Sequence, residues 1–401
     1  MSIYRVRDYT YYREIFRGSI FPLAFLDMDM LDANIDAMAS RAGGKIVKII
    51  TKSVRSVGVI KYILKRRPDI YKGVATYYPE EAIHLFESGI DDIVIVYPYC
   101  NIKQMDKVAA AIKKGAVIKL MIDDIKQAES ASIAAVNNKI EFEICIDMDM
   151  STKHPSLYFG VYRSPLRTPE EVVTLADKVS RLPGLKITGL MGYEAQIAGV
   201  GDKVPGMELQ NILIKNLRKL SFSKLTKRRI SAYKALIRAG YDIKDLYGGG
   251  TGSIELTRTE EPLTEITAGS GFYSSGVFDY YSDFRHLPAA GFALEITRIP
   301  EPGIYTAAGG GYIASGAVGP AKQPFPYLPE GIKFIEKEGC GEVQTPFYYK
   351  GKENLSIGDP VFFRHSKSGE LCERFKELHL VRNGKVIDKT PTYRGEGQCF
   401  I

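Results

Sequence analysis

Apolar and polar residues alternate along the first two thirds of the chain in blocks that fit strands and helices in turn. Short apolar runs predict strand cores, and most are followed by a stretch with apolar residues at helical spacing. The predicted strand cores are residues 21–27, 45–51, 73–78, 92–97, 116–122, 141–147, 185–191 and 242–247. This alternation predicts an α/β fold, a (β/α)8 TIM-type barrel with its active site at the carboxyl ends of the strands. A doubly wound open sheet is the second interpretation.

The pattern changes near residue 271, where helical periodicity fades and short β-like runs take over. These runs cover residues 293–298, 361–364, 378–381 and 385–388, and they are broken by Gly, Pro and the turn pair Asn383-Gly384. The change predicts a C-terminal all-β domain. We therefore divide the chain into an N-terminal segment (1–20) that packs on the β-domain, a barrel (21–270) and the β-domain (271–401).

Composition narrows the class of protein. The chain has 401 residues, of which 45% are hydrophobic and 25% charged, as in ordinary globular proteins. No apolar run approaches the ~20 residues that span a bilayer, and no signal peptide is recognisable, so we expect a cytoplasmic protein without membrane contact. Five scattered cysteines without Cys-x-x-Cys spacing fit a reducing compartment. The net charge of +7 is dispersed, which argues against a nucleic-acid partner and favours a small anionic ligand.

Glycines cluster after two predicted strands. The stretch Gly248-Gly249-Gly250-Thr251-Gly252 follows the last strand core, and a nearby β-like run (263–268) ends in Gly269-Ser270. Glycine lets the backbone approach an anion closely and point several N–H groups into one concavity. A flexible linker is the alternative for a single glycine cluster. Two clusters at neighbouring strand ends favour a phosphate site.

Polar residues at the other strand ends supply candidate chemistry. Lys52 follows the second strand core, and Tyr193 and Glu194 follow the seventh. An amine in a partly desolvated pocket loses its proton more easily and becomes a nucleophile, so Lys52 is a candidate Schiff-base lysine. A solvated surface lysine is the alternative.

These motifs, in their order along the chain, carry a family resemblance. The set comprises Pro22-Leu-Ala-Phe-Leu-Asp-Met-Asp29, Thr51-Lys52-Ser53, Gly73-Val-Ala-Thr76, Gly192-Tyr193, Gly248-Gly-Gly-Thr-Gly252 and Thr264-Glu-Ile-Thr-Ala-Gly-Ser270. It resembles the alanine-racemase-like, fold type III enzymes that use pyridoxal 5'-phosphate (PLP), and within them the D-threonine aldolase and D-serine dehydratase branch. The resemblance covers nearly the whole chain, from about residue 21 to residue 361.

The resemblance implies roles for individual residues. Lys52 takes the place of the lysine that holds PLP as a Schiff base, and Tyr193 matches a tyrosine near the cofactor. The phosphate-binding positions are matched by Gly249, Gly250, Thr251, Gly252, Gly269 and Ser270. The resemblance also implies a homodimer in which each β-domain completes the partner's active site.

Departures from the family pattern concern the reaction. Relatives have an arginine before the Gly-Val pair after strand six, where this chain has Tyr158-Phe159 before Gly160-Val161. Glu194 stands where aldolases often have a histidine, and it is a candidate base for the substrate hydroxyl. The branch also binds a divalent metal through His-x-Cys or His-x-Asp. Here His365 and Cys372 are the candidate ligands of a Zn or Mn ion, at a longer spacing.

The expected function is a PLP-dependent lyase that acts on a D-configured β-hydroxy amino acid through Lys52. Retro-aldol cleavage and dehydration both fit the residues at this point. An amino-acid racemase of the same fold is an alternative, and a PLP carrier without turnover is another. The β-domain favours an enzyme, because a carrier has little need of a domain that covers the site.

Overall fold

The computed structural model describes residues 7–154, 157–317 and 319–401, so that residues 1–6 of the predicted N-terminal segment lie outside the described residues. The α-helices are α1 (Tyr9–Ile15), α2 (Met28–Ala42), α3 (Val57–Arg66), α4 (Pro79–Glu87), α5 (Ile102–Lys113), α6 (Ile125–Asn138), α7 (Pro169–Val179), α8 (Ala195–Ala198), α9 (Glu208–Arg238), α10 (Ile254–Thr257) and α11 (Ser270–Tyr273). The strands up to the barrel's last are β1 (Leu23–Asp27), β2 (Ile46–Ile50), β3 (Tyr71–Thr76), β4 (Ile93–Ile95), β5 (Ile118–Ile122), β6 (Phe142–Asp147), β7 (Thr152–His154), β8 (Leu157–Phe159), β9 (Leu185–Met191), β10 (Asp245–Gly248) and β11 (Glu265–Ala268). They are followed by β12 (Ala290–Glu301), β13 (Ile304–Ala308), β14 (Phe325–Leu328), β15 (Lys333–Phe334), β16 (Gln344–Tyr348), β17 (Pro360–Arg364), β18 (Glu377–Arg382) and β19 (Lys385–Pro391). Short 3-10 turns cover Thr51–Ser53, Gly276–Tyr280, Pro320–Lys322 and Ser368–Glu373.

In the part of the chain that the structure describes, eight parallel strands close a barrel in the order β10-β11-β2-β3-β4-β5-β6-β9. Local signals place the helices between them. Helix α6 begins with a capping box of Asp124 and Gln127, and α7 with one of Thr168 and Glu171. The predicted TIM-type barrel with a second, mostly-sheet domain is confirmed.

One predicted barrel strand is wrong. Strand β1 pairs antiparallel with β12 and parallel with β18, so it lies in the sheet of the β-domain. The eighth barrel position belongs to β11, which lies between β10 and β2. A short buried strand followed by a helix has the same apolar pattern in either sheet, and only long-range pairing decides between them. The predicted boundary at residue 21 therefore does not separate the two sheets.

The larger sheet of the β-domain runs β15-β16-β13-β12-β1-β18-β19, and β14 and β17 extend it beside β12. Helix α1 contacts this sheet through Tyr9 and Tyr12, whose rings lie 6.2 Å and 5.6 Å from that of Phe362. The Tyr12 hydroxyl donates a 3.0 Å hydrogen bond to Asp27 at the end of β1. Among the described residues, no helix combines the length and the apolar character that crossing a bilayer requires.

Candidate active site

A cavity of about 960 Å³ opens at the carboxyl ends of the barrel strands, where the β-domain covers them. A TIM barrel places its active site at this end. The barrel lines the cavity with Lys52, Tyr97, Asp147, Arg163, Tyr193 and the residues after β10 and β11. The β-domain of the same chain adds Tyr312, Ser315, His365, Lys367 and Arg374.

Lys52 lies on a 3-10 turn directly after β2. The preceding Thr51 anchors this turn, because its hydroxyl donates a 3.2 Å hydrogen bond to the carbonyl oxygen of Ala75 on β3. The Nζ atom of Lys52 lies 2.9 Å from the hydroxyl oxygen of Tyr97. Burial alone would raise the pKa of Tyr97, but the positive charges of Lys52 and Arg163 outweigh burial and lower it. The amine is therefore held at the cavity wall beside an acidified phenol.

Arg163 was not predicted as a site residue. Its guanidinium carbon lies 5.7 Å from the ring centre of Tyr97 and 5.6 Å from that of Tyr193, so it bridges the two rings. Burial raises the pKa of Tyr193 to about 12, although Arg163 acts in the opposite direction. The available signal was its place two residues after Gly160-Val161, on the other side of the pair from the position expected in the family.

Asp147 ends β6 at the same cavity. Burial raises its pKa to about 8, and the negative charge of Asp123 acts in the same direction. Arg163 opposes both effects. Asp147 can therefore hold or release a proton near neutral pH.

The predicted glycine sites meet at the cavity because β10 and β11 are neighbours. Gly249 has φ +87°, a conformation that residues with a Cβ rarely adopt. A Cβ on Gly250 would lie 2.6 Å from the Cβ of Ala198, and a Cβ on Gly269 would lie 2.5 Å from the carbonyl oxygen of Ile50. Side chains at these positions would collide with the surrounding protein, so the two loops need glycine to keep their shape.

Two hydroxyl groups complete the phosphate cradle, which consists of Gly249, Gly250, Thr251, Gly269 and Ser270. Thr251 and Ser270 line the cavity. Gly252 packs behind it, against Ala198 and Tyr281. The Ser270 hydroxyl lies 2.9 Å from that of Ser53 in the Lys52 turn. The lysine turn and the glycine sites therefore contact each other directly. Ser253 is followed by the single-turn helix α10.

The placement of Glu194 does not agree with its predicted role as a base. Its side chain is fully buried and does not line the cavity. One oxygen accepts from Arg229 at 2.8 Å, and the other accepts from the hydroxyls of Ser253, at 2.8 Å, and Thr257. The amide of Gly249 donates to the same oxygen as Arg229. Because Gly249 and Ser253 lie in the loop after β10 and Thr257 in the helix α10 that follows it, Glu194 fixes the shape of this loop and does not reach a substrate.

The predicted metal ligands do not lie together. His365 is 4% exposed and lines the cavity, and its Nε2 atom has no hydrogen-bond partner among the described residues. Cys372 lies behind the cavity wall, and its thiol donates a 3.3 Å hydrogen bond to the carbonyl oxygen of Val54. Burial raises the pKa of Cys372 to about 12.

The surroundings of His365 are cationic. Burial lowers its pKa to about 3, and the nearby Arg55 guanidinium acts in the same direction. In residues 7–154, 157–317 and 319–401, no group of three or more His, Cys, Asp and Glu side chains is arranged to hold a metal ion. A single imidazole among positive charges does not fit a divalent cation, which needs several anionic or neutral donors.

PLP, in contrast, fits the residues present. Lys52 offers an amine, the glycine loops offer space and backbone N–H groups for a phosphate, and Tyr193 lines the same cavity with its ring 3.1 Å from a Cβ placed on Gly250. Asp147 and Arg163 also line the cavity and could face the cofactor ring.

Two curated relatives are aldolases. The chain is 25% identical over 251 residues to a 3-hydroxy-D-aspartate aldolase of Paracoccus denitrificans (strain Pd 1222), a match that covers 62% of this chain and 59% of that protein. It is 22% identical over 256 residues to a D-threonine aldolase of Arthrobacter sp., covering 64% of this chain and 61% of that protein. The matches thus span less than two thirds of either relative.

Solved structures share the fold. The D-threonine aldolase of Filomicrobium marinum superposes with a TM-score of 0.78 at 16% identity, covering 94% of this chain and 95% of that one. The D-threo-3-hydroxyaspartate dehydratase of Delftia sp. HT23 gives 0.74 at 15% identity, covering 94% and 98%. The family described as alanine racemase, N-terminal domain, matches residues 26–230, which is half of the chain. The chain therefore belongs to the alanine racemase N-terminal domain family.

Proposed function

We propose that this protein is a PLP-dependent lyase that cleaves a D-β-hydroxy amino acid by a retro-aldol reaction. The observation that carries the proposal is the contact between the Lys52 turn and the glycine cradle, through Ser53 and Ser270, in a cavity covered by the β-domain. The names of the two curated relatives support the reaction and the substrate class.

The chain's own residues have defined tasks in this proposal. Thr251, Ser270 and the glycine amides would bind the phosphate group of PLP, and the amine of Lys52 would hold its aldehyde carbon. When bound, PLP withdraws electron density from the Cα atom of an amino acid. The amine of Lys52 would also hold or deliver a proton beside Cα, and the hydroxyl of Tyr97 keeps this amine in place.

The β-domain side of the cavity faces the reacting group of the substrate. His365 is neutral at physiological pH, so one ring nitrogen has a free lone pair that can accept a hydrogen bond from the substrate β-hydroxyl. A divalent metal does not enter the proposal, since the donors around His365 do not suit one. We also propose a cytoplasmic homodimer in which the partner's β-domain adds to the site, and a molar-mass measurement in solution tests the dimer.

An absorption spectrum of the purified protein tests the cofactor, and substrate titration tests the reaction. We expect a visible band of bound PLP that borohydride removes and that Lys52→Ala lacks. With D-threonine or D-3-hydroxyaspartate we expect glycine. Release of ammonia and a keto acid would show a dehydratase and not an aldolase. Formation of the opposite enantiomer of the amino acid would show a racemase. A band without any product would indicate a carrier, and a protein without the band would contradict the proposal.

A further inference from the structure

Lys367 lies in the cavity two residues after His365 and just before the 3-10 turn Ser368–Glu373. Its Nζ atom donates to the carbonyl oxygen of Ser315 at 2.6 Å and lies 3.0 Å from the Ser315 hydroxyl. The Glu370 carboxylate lies 3.9 Å away, at the limit of an ion pair. The side chain is 39% exposed, so the ammonium group is tethered at the cavity wall and still accessible.

The cavity wall around His365 and Lys367 carries positive charge. Arg55 is next to His365, and its guanidinium is already paired with Glu373 at 2.7 Å. Lys367 adds a second positive charge to this wall. These charges would repel a divalent cation, and they would stabilise a substrate oxygen that gains negative charge.

We propose that the Lys367 ammonium group and the Nε2 atom of His365 both contact the β-hydroxyl of the substrate, and that cleavage therefore needs no divalent metal. Two structural facts carry this proposal: the free, buried Nε2 atom of His365, and the lysine that shares its wall. Buried polar atoms without a partner are rare in folded proteins and call for a missing partner. The proposal rests on the proposed lyase function.

The step balances without a further reactant. The hydroxyl proton moves to the amine of Lys52, and the electron pair of the O–H bond becomes the second bond of an aldehyde carbonyl. The Cα–Cβ bond breaks at the same time and leaves its pair at Cα, which takes up one proton. The oxygen loses one proton and Cα gains one. The atoms of the substrate therefore equal those of the aldehyde and the shortened amino acid together. Lys367 stabilises the oxygen while its charge is highest.

Metal binding is tested on the PLP-loaded protein by calorimetric titration with Mn²⁺ and Zn²⁺, apart from any activity. We expect no stoichiometric binding by the natural chain. Lys367→Asp replaces a positive charge by a carboxylate next to His365, and we expect it to bind Zn²⁺. Stoichiometric binding of either ion by the natural chain would overturn the proposal. If Lys367→Asp did not bind Zn²⁺, this would contradict the inference that the side chains of residues 365 and 367 lie close together in the cavity.

Turnover tests the role of the charge. We expect Lys367→Gln to lower kcat about 100-fold with cofactor content unchanged, as for loss of one group that stabilises an oxyanion, and Lys367→Arg to recover part of it. The matched control is Lys333→Gln, which removes an exposed lysine of the same domain outside the cavity lining and should leave kcat unchanged. The proposal would be overturned if Lys367→Gln had the same kcat as the natural chain. It would also be overturned if chelation abolished the activity of the natural chain and added metal restored it. If the natural chain cleaves no β-hydroxy amino acid, the proposed function fails, and the titrations still decide the metal question.

Discussion

The Nζ atom of Lys52 lies 2.9 Å from the hydroxyl oxygen of Tyr97, which joins the ends of β2 and β4 across the intervening strand β3. We expect Tyr97→Phe to lower kcat by about 10- to 100-fold, because a hydrogen bond to a charged group contributes about 1.5–3 kcal/mol. Steady-state kinetics with the absorption spectrum measure this effect. Tyr99→Phe is the control, since the Tyr99 hydroxyl donates to the carbonyl oxygen of Tyr77 and does not line the cavity. Equal losses in both variants would contradict a role for Tyr97 at the lysine.

Gly250 tests the cradle by size alone. We expect Gly250→Ala to weaken PLP binding about ten-fold or more, because the added methyl group would lie 2.6 Å from Ala198 and overpacking costs about 1–3 kcal/mol. Equilibrium dialysis of the cofactor measures the change. Gly319→Ala adds the same methyl group in open space and should bind PLP normally. Normal PLP affinity of Gly250→Ala would exclude this loop as the phosphate site.

Glu194 and Arg229 form an ion pair at 2.8 Å with both side chains fully buried. We expect Glu194→Gln to lower the free energy of unfolding by about 3–5 kcal/mol, because breaking such a pair leaves a buried charge without its partner. It should also weaken PLP binding through the loop after β10. Urea unfolding and cofactor dialysis measure the two effects, with the exposed Glu261→Gln as control. A stable, PLP-loaded variant without turnover would instead support the role of Glu194 as a base.

Glu81 links the barrel to the C-terminal segment, since it accepts hydrogen bonds from the Tyr77 amide at 2.8 Å and the Tyr393 hydroxyl at 2.9 Å. Burial raises the pKa of Glu81 from 4.5 to about 7. A carboxyl whose pKa is raised in the folded state stabilises that state most below its unfolded pKa, and this contribution is lost as the pH rises through the folded pKa. The effect is about 3 kcal/mol between pH 4.5 and 7.

Glu81→Gln stays neutral at every pH, so we expect the stability of the natural chain relative to this variant to fall as pH rises across that range. Urea unfolding at several pH values measures the difference. Glu80→Gln, on the same helix with a partly exposed side chain, should keep the pH dependence of the natural chain. Parallel stability curves for the natural chain and Glu81→Gln would contradict the raised pKa.

The periodic part of the molecule was predictable from sequence. Strand and helix periods repeat within a few residues, so the TIM-type barrel, the β-domain and the strand-end positions of Lys52, Thr251 and Ser270 followed from local pattern and from the family resemblance. The glycine clusters were also local signals, because a backbone that approaches an anion must avoid a Cβ.

Long-range contacts decided the rest. Only pairing with β12 and β18 shows that β1 belongs to the β-domain, and only packing shows that Glu194 faces Arg229. The sequence likewise did not indicate that Arg163 lies over Tyr97, or that Lys367 shares a cavity with Lys52. A residue's own neighbours in the chain determine its periodicity, whereas the direction and charge environment of its side chain depend on segments hundreds of residues away. For that reason the sequence by itself determined the fold and the position of Lys52 at a strand end, and the tertiary structure alone decided which charged side chains line the cavity.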